Sequence, residues 1–170
     1  MNKYLALWLL AAVALVGCGQ AGDNANDLTA SQSEPLETVA LTVYKSPTCL
    51  CCDDWVVHME ERGFSAQGEH PDNLYELKRE LGIQDQYASC HTAVTESGYV
   101  FEGHIPAHLV RRFLDAPPEG ALGLAVPRMP MGSPGMEMGN RFEPYDVLLL
   151  KHDGEHEVFA RVDSPQEQYH

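Results

Sequence analysis

Val39-Ala40-Leu41-Thr42-Val43-Tyr44-Lys45-Ser46-Pro47-Thr48-Cys49-Leu50-Cys51-Cys52-Asp53-Asp54-Trp55-Val56 is the stretch whose reading decides the fold. Val39 to Tyr44 is rich in β-formers and reads as a strand. Ser46-Pro47-Thr48 breaks it. A helix is expected from Cys52 to Arg62, with Asp53 and Asp54 in its first turn, where the helix dipole favours acids. Trp55, Val56 and Met59 recur at helical spacing on one face, and Gly63 stops the helix. Three of the five cysteines therefore sit at one strand-to-helix turn. A helix N-terminus offers free N–H groups and a positive dipole end, and both stabilise thiolates.

Downstream, His70 to Asn73 is a turn, and Leu74 to Leu81 reads as a second helix with Leu74, Leu77 and Leu81 on one side. Cys90 and His91 precede a strand over Thr92 to Thr95. Ser97-Gly98 turns the chain back into Tyr99 to Glu102. His104-Ile105-Pro106 opens a third helix to Leu114, with Pro106 suited to a first helical position. Leu122 to Val126 is a short strand, and Met129 to Asn140 is a loop heavy in Gly, Pro and Met. Asp146 to Leu150 and Glu157 to Val162 flank His152-Asp153-Gly154-Glu155, a hairpin signal. The fold class is α/β. The order β-α-(α)-β-β-α is that of a thioredoxin-like core, followed by the Met/Gly/Pro-rich loop and a C-terminal β-hairpin.

Upstream, residues 1–17 read as a bacterial lipoprotein signal peptide. Lys3 supplies the positive start, and Leu5 to Val16 is an apolar run too short to span a bilayer comfortably. Leu15-Val16-Gly17-Cys18 resembles a lipobox, which implies cleavage before Cys18 and lipidation of that cysteine. Gly19 in place of Asp points to the outer membrane. Residues 18–38 are then a lipidated cysteine and a small, polar tether. Residues 39–170 are enough for one small domain with a modest core. The chain's formal charge of −14 excludes nucleic acid as a partner. Export places the domain in the periplasm, which oxidises thiols, so its four cysteines need a reason to be there.

Three readings of Cys49, Cys51 and Cys52 are open. Soft thiolates select Cu(I), zinc and iron–sulfur clusters. Cys49-x-x-Cys52 also has the spacing of a dithiol redox pair. A structural disulfide is the plainest use. Metal binding is preferred because Cys51 is superfluous to a redox pair, where a third thiol would scramble disulfides. It suits thiolates that bridge several Cu(I) ions. In a thioredoxin-like fold the segment carrying Cys90 faces the first helix, so Cys90 is expected opposite the cluster, close enough to share a metal or a disulfide. His91 either completes a metal site or hydrogen-bonds the backbone.

Five ordered motifs carry a resemblance. They are Tyr44 to Cys52; Ser89-Cys90-His91-Thr92-Ala93; Glu102-Gly103-His104-Ile105-Pro106-Ala107; Gly123 to Pro127 together with Met129 to Glu137; and Tyr145 to Leu149. Over about Val43 to Ala160 the chain resembles the CopG-like copper-resistance family, a cysteine-rich metal-binding family of thioredoxin-like fold long carried as a domain of unknown function. One departure is Leu50, where the family commonly has Gly; it adds bulk beside the cluster without removing a ligand. The resemblance implies a periplasmic copper-binding protein for copper resistance and homeostasis, with other copper-handling proteins as partners. The metal ligands expected are Cys49, Cys51, Cys52 and Cys90, with His91 and His104 secondary. His104 is preferred over His108, which is expected as a solvated surface residue. His58, His70, His152, His156 and His170 have no partner legible in the sequence. Met129, Met131 and Met136 are further candidate ligands, since thioethers suit Cu(I). Methionines also fill irregular packing under such loops. The loop is expected to cap the cysteine site. The metal expected is copper as Cu(I), in a site that can hold several ions, with zinc a lesser alternative. No catalytic residue is assigned, and the alternative function is a thiol–disulfide or copper oxidoreductase using Cys49 and Cys52.

Overall fold

The computed structural model describes residues 38–169. The expected signal peptide, the expected lipidation site at Cys18 and the expected tether up to residue 37 lie outside the described residues.

The deciding stretch folds as read. Strand β1 runs Val39–Lys45 and helix α1 runs Leu50–Glu60, with Cys49 at its N-cap. The helix begins two residues earlier than expected, so Cys51 and Cys52 both lie in its first turn. Gly63 leaves it at a φ of 81°, a left-handed conformation that glycine adopts without penalty. Strand β2, Phe64–Glu69, follows at once and was not anticipated. Its sequence, Phe-Ser-Ala-Gln-Gly-Glu, is poor in β-formers. It is held by parallel pairing to β1, with Val39 opposite Phe64 and Tyr44 opposite Glu69. Only Phe64 and Ala66 of β2 are buried.

Helix α2 is Leu74–Glu80, N-capped by the Asn73 side chain, which accepts from Glu76 N. Its buried residue is Lys78 rather than the leucine stripe, which is half-buried. A short 3-10 turn at Asp85–Tyr87 leads to β3, His91–Thr95, then β4, Val100–Glu102. Helix α3 is Ala107–Asp115. Strands β5, Ala121–Ala125, β6, Tyr145–Lys151, and β7, His156–Val162, complete a sheet. Among the described residues this is a mixed α/β fold of seven strands in the order β2-β1-β3-β4-β5-β6-β7. β1 and β2 are parallel, as are β4 and β5; the other pairings are antiparallel.

The sheet separates two cores, as the period-2 geometry of strands requires. Leu41, Val43, Ala93, Phe101, Leu124, Val147 and Leu149 join Trp55 and Met59 of α1 and Leu109, Val110 and Phe113 of α3. A smaller cluster gathers Val100, Leu122, Ala125 and Leu150 with Ile83 and Tyr87. Trp55 is fully buried and its Nε1 donates to Ile105 O at 2.9 Å, which ties α1 to the segment just before α3. That bond, together with the adjacent ends of β1, β3 and β4, brings the cysteine and histidine motifs to one end of the sheet.

Candidate metal centre

Four cysteine sulfurs converge at the start of α1. The Sγ atoms of Cys49, Cys51, Cys52 and Cys90 all lie within 4.8 Å of one another. Cys49 and Cys52 are joined in a disulfide with Cα atoms 5.3 Å apart. Cys51 and Cys90 are free thiols, and Cys51 Sγ lies 3.5 Å from Cys49 Sγ. Cys90 thus approaches the turn from the β3 side, as its position before that strand implied.

A second group shares Cys90. Its Sγ is 2.9 Å from His104 Nε2 and 3.3 Å from His91 Nδ1, and ligand atoms of these three residues also lie within 4.8 Å. His104 is fully buried, and its Nδ1 is 2.7 Å from the Pro134 carbonyl. A carbonyl can only accept, so Nδ1 carries the proton and Nε2 presents its lone pair towards Cys90. A metal-ligating histidine is oriented in this way by a second partner. His91 is also fully buried, packed 4.4 Å from Trp55 and edge-on to His104 at 4.9 Å between ring centroids. His91 Nε2 makes no hydrogen bond of normal geometry. A buried polar nitrogen without a partner is costly unless something else engages the ring.

Burial pushes the Cys90 thiol up to about 12, and the nearby Cys51 adds to the shift. The helix N-terminus was expected to ease deprotonation across the cluster. At Cys90, which lies off the helix, desolvation prevails. Burial also lowers the basicity of His91 and His104, so both imidazoles are neutral and able to ligate. For His91 the charges of His104, Lys78 and Lys45 act in the same direction, while the Gly103 backbone opposes them. Asp53 does not stand as an isolated charge beside the thiols: its Oδ1 pairs with the buried Lys45 Nζ at 2.9 Å.

The donor chemistry fits a soft metal ion. Once the disulfide is reduced, four sulfurs and two neutral imidazoles share one end of the sheet, a set suited to Cu(I) or zinc.

The loop of residues 129–140 packs onto this site through its backbone. Pro134 O receives His104, and Gly135 lies so close to α1 that an added Cβ would meet Cys51 O at 2.6 Å and Trp55 N at 2.7 Å. Met131 and Met136 are half-buried, whereas Met129 and Met138 are about half exposed. The Leu50 side chain is 76% exposed, so its bulk points to solvent.

Several histidines differ from expectation. His108 is half-buried rather than solvated. His58 is buried, and its Nε2 accepts from Ala107 N at 3.1 Å, holding the first turn of α3. His70 Nδ1 lies 3.1 Å from Lys45 O, and His156 Nδ1 lies 2.8 Å from the Tyr87 hydroxyl. The spacing of His58 from its neighbours in α1 was the available signal: with Trp55 and Met59 it extends the buried face.

Two comparisons with known proteins bear on this site. Residues 87–136, from just before Cys90 to the middle of the Met-containing loop, match a family model described as a protein of unknown function, DUF411. No curated protein matches the chain. Among solved structures, Form 1 of the copper resistance protein CopG is 37% identical, with a TM-score of 0.69 over 74% of this chain and 98% of the other. Form 2 is 36% identical, with a TM-score of 0.70 over 74% of this chain and 99% of the other. Identity at this level, sustained over nearly the whole of each solved chain, places this protein in the family of CopG copper resistance proteins.

Proposed function

We propose that this protein is a periplasmic Cu(I)-binding protein of copper resistance, lipid-anchored through Cys18. Cys49, Cys51, Cys52 and Cys90 hold copper as bridging thiolates, in a site that takes more than one ion. His91 and His104 complete the site from the β3–β4 side. Met129, Met131 and Met136 line the approach as weaker thioether donors. The strand order β2-β1-β3-β4, with β3 antiparallel to its neighbours and the cysteines following β1, supports a thioredoxin-like core. The β6–β7 pair then forms a C-terminal hairpin on its edge.

The observation that carries this reading is the convergence of four sulfurs within 4.8 Å, two of them unpaired, beside two buried neutral imidazoles. A dithiol enzyme has no use for Cys51 in that position. Copper loading requires the Cys49–Cys52 disulfide to accept two electrons and two protons from a dithiol reductant. The thiols then lose their protons as copper binds, so uptake releases acid.

A second reading rests on one specific feature. The disulfide joins a Cys-x-x-Cys pair at a helix N-terminus, the setting of thiol–disulfide oxidoreductases. Titrating the anaerobically reduced protein with Cu(I) separates the two. Copper binding predicts a near-UV thiolate-to-copper band that grows to saturation at more than one ion per chain. A protein that stays colourless and copper-free yet turns over a dithiol substrate is an oxidoreductase instead.

A further inference from the structure

A buried ion pair lies behind the metal centre, on the other side of the sheet from His91. Lys78 of α2 is 5% exposed and Glu102 of β4 is fully buried. Lys78 Nζ donates to Glu102 Oε1 at 2.5 Å and to Thr92 Oγ1 at 2.8 Å, and Thr92 Oγ1 donates to Glu102 Oε2 at 2.5 Å. The backbone N–H of Ser89 donates to Glu102 Oε1 at 2.5 Å. One carboxylate therefore accepts from a helix, a strand and a loop.

Buried pairs of this kind seldom add stability over apolar residues of the same volume, because desolvation offsets the attraction. The groups held here suggest another use. Ser89 immediately precedes Cys90, Thr92 immediately follows His91, and Glu102 stands two residues before His104. The Ser89 hydroxyl also donates to Arg128 O, at the root of the loop that reaches His104 through Pro134. Gly103 allows this closeness: with φ at 80°, a Cβ there would lie 2.7 Å from Ser89 Cβ and 2.5 Å from Val126 O.

We propose that Lys78 and Glu102 are positioning residues of the metal centre. Glu102 clamps the segment that carries Cys90 against the end of β4, so that this sulfur meets the Cys49–Cys52 turn. Lys78, with Thr92 and the Ser89 N–H, keeps the buried Glu102 carboxyl hydrogen-bonded. This inference rests on the copper-binding reading and names residues that touch no ligand themselves.

The test is Cu(I) retention by the reduced full domain against a bicinchoninate-type chelator, for wild type, Lys78→Met, Glu102→Gln and each combined with Cys90→Ser. Loss of an orienting partner typically weakens metal affinity by about 10- to 100-fold. We expect a loss of that size in either single variant when Cys90 is present, and little further loss in the Cys90→Ser background, because the clamp acts through that sulfur. A purely structural role would lower the melting temperature but weaken copper equally in both backgrounds. Equal weakening, or unchanged retention in a folded variant, overturns the proposal. Should Lys78→Met not fold, Glu102→Gln, which keeps the shape of the side chain, carries the test alone. A wild-type domain that takes up no Cu(I) would instead reject the copper-binding reading itself.

Discussion

Replacing Gly135 with Ala tests whether the Met-containing loop is seated on the metal centre or merely passes over it. Gly135 has a φ of 83°, where an L-residue is strained by about 1–2 kcal/mol. The added Cβ would also lie 2.6 Å from Cys51 O and 2.7 Å from Trp55 N, whereas ordinary contact begins at 3.4 Å. Both atoms are backbone of the first two turns of α1, which Trp55 anchors in the core, so the loop is the part that yields. A retreat of roughly 0.8 Å stretches the 2.7 Å bond from His104 Nδ1 to Pro134 O beyond useful range. Leaving that buried donor unmade costs about 1–3 kcal/mol more. The total, about 2–5 kcal/mol, corresponds to a fall in melting temperature of roughly 10 °C for a domain of this size. Freed of Pro134, the His104 ring no longer holds its tautomer, and copper retention should drop by about tenfold. The control is Gly139→Ala, which also has positive φ, at 63°, but has nothing within 4 Å of the added methyl. Thermal melting and chelator competition on both variants are the assays. Equal melting temperatures and equal copper retention would show that the loop is not seated as described.

Burial holds His58 down to about 3 from 6.5, so between those values the unfolded chain binds a proton that the folded chain does not. Its contribution to stability is therefore lost as pH falls from 6.5 towards 3; His58→Gln, which can still accept from Ala107 N, should flatten that loss in urea unfolding from about pH 7 to about pH 4. An unchanged slope in the variant would place the acid sensitivity elsewhere. Cys18→Ala should block maturation or release the domain from membranes, and an intact Met1 or an unmodified Cys18 in the mass spectrum of the native protein would reject lipid anchoring.

Much of the site was legible because its chemistry is written in contiguous motifs. Cys49 to Cys52 announces itself by density, and the strand-to-helix reading of that stretch follows from β-propensity, a break and helical spacing. Cys90 needed an assumption about topology, since its approach to the turn depends on β3 lying beside β1. Strand β2 escaped notice because pairing with β1, rather than its own residues, makes it a strand. Lys78 and Glu102 were equally silent: their partnership spans 24 residues, and a lysine on a short helix reads as solvated. His108, expected as a solvated surface residue, is half-buried, and the partner of His58 had no signal, because both are polar residues on faces that the tertiary fold covers. The orientation of His104 by Pro134 has no sequence signal, since a backbone carbonyl can be supplied by any residue.

Copper content of the anaerobically reduced protein, measured by metal analysis for wild type and Cys51→Ser, tests the central claim most directly. Cys51 is the sulfur that a copper–thiolate site requires and a Cys-x-x-Cys enzyme does not. Wild type should hold more than one copper ion per chain, and Cys51→Ser should lose most of it while keeping the Cys49–Cys52 disulfide under oxidising conditions. Full copper content in Cys51→Ser, with dithiol turnover lost only on changing Cys49 or Cys52, would contradict the account.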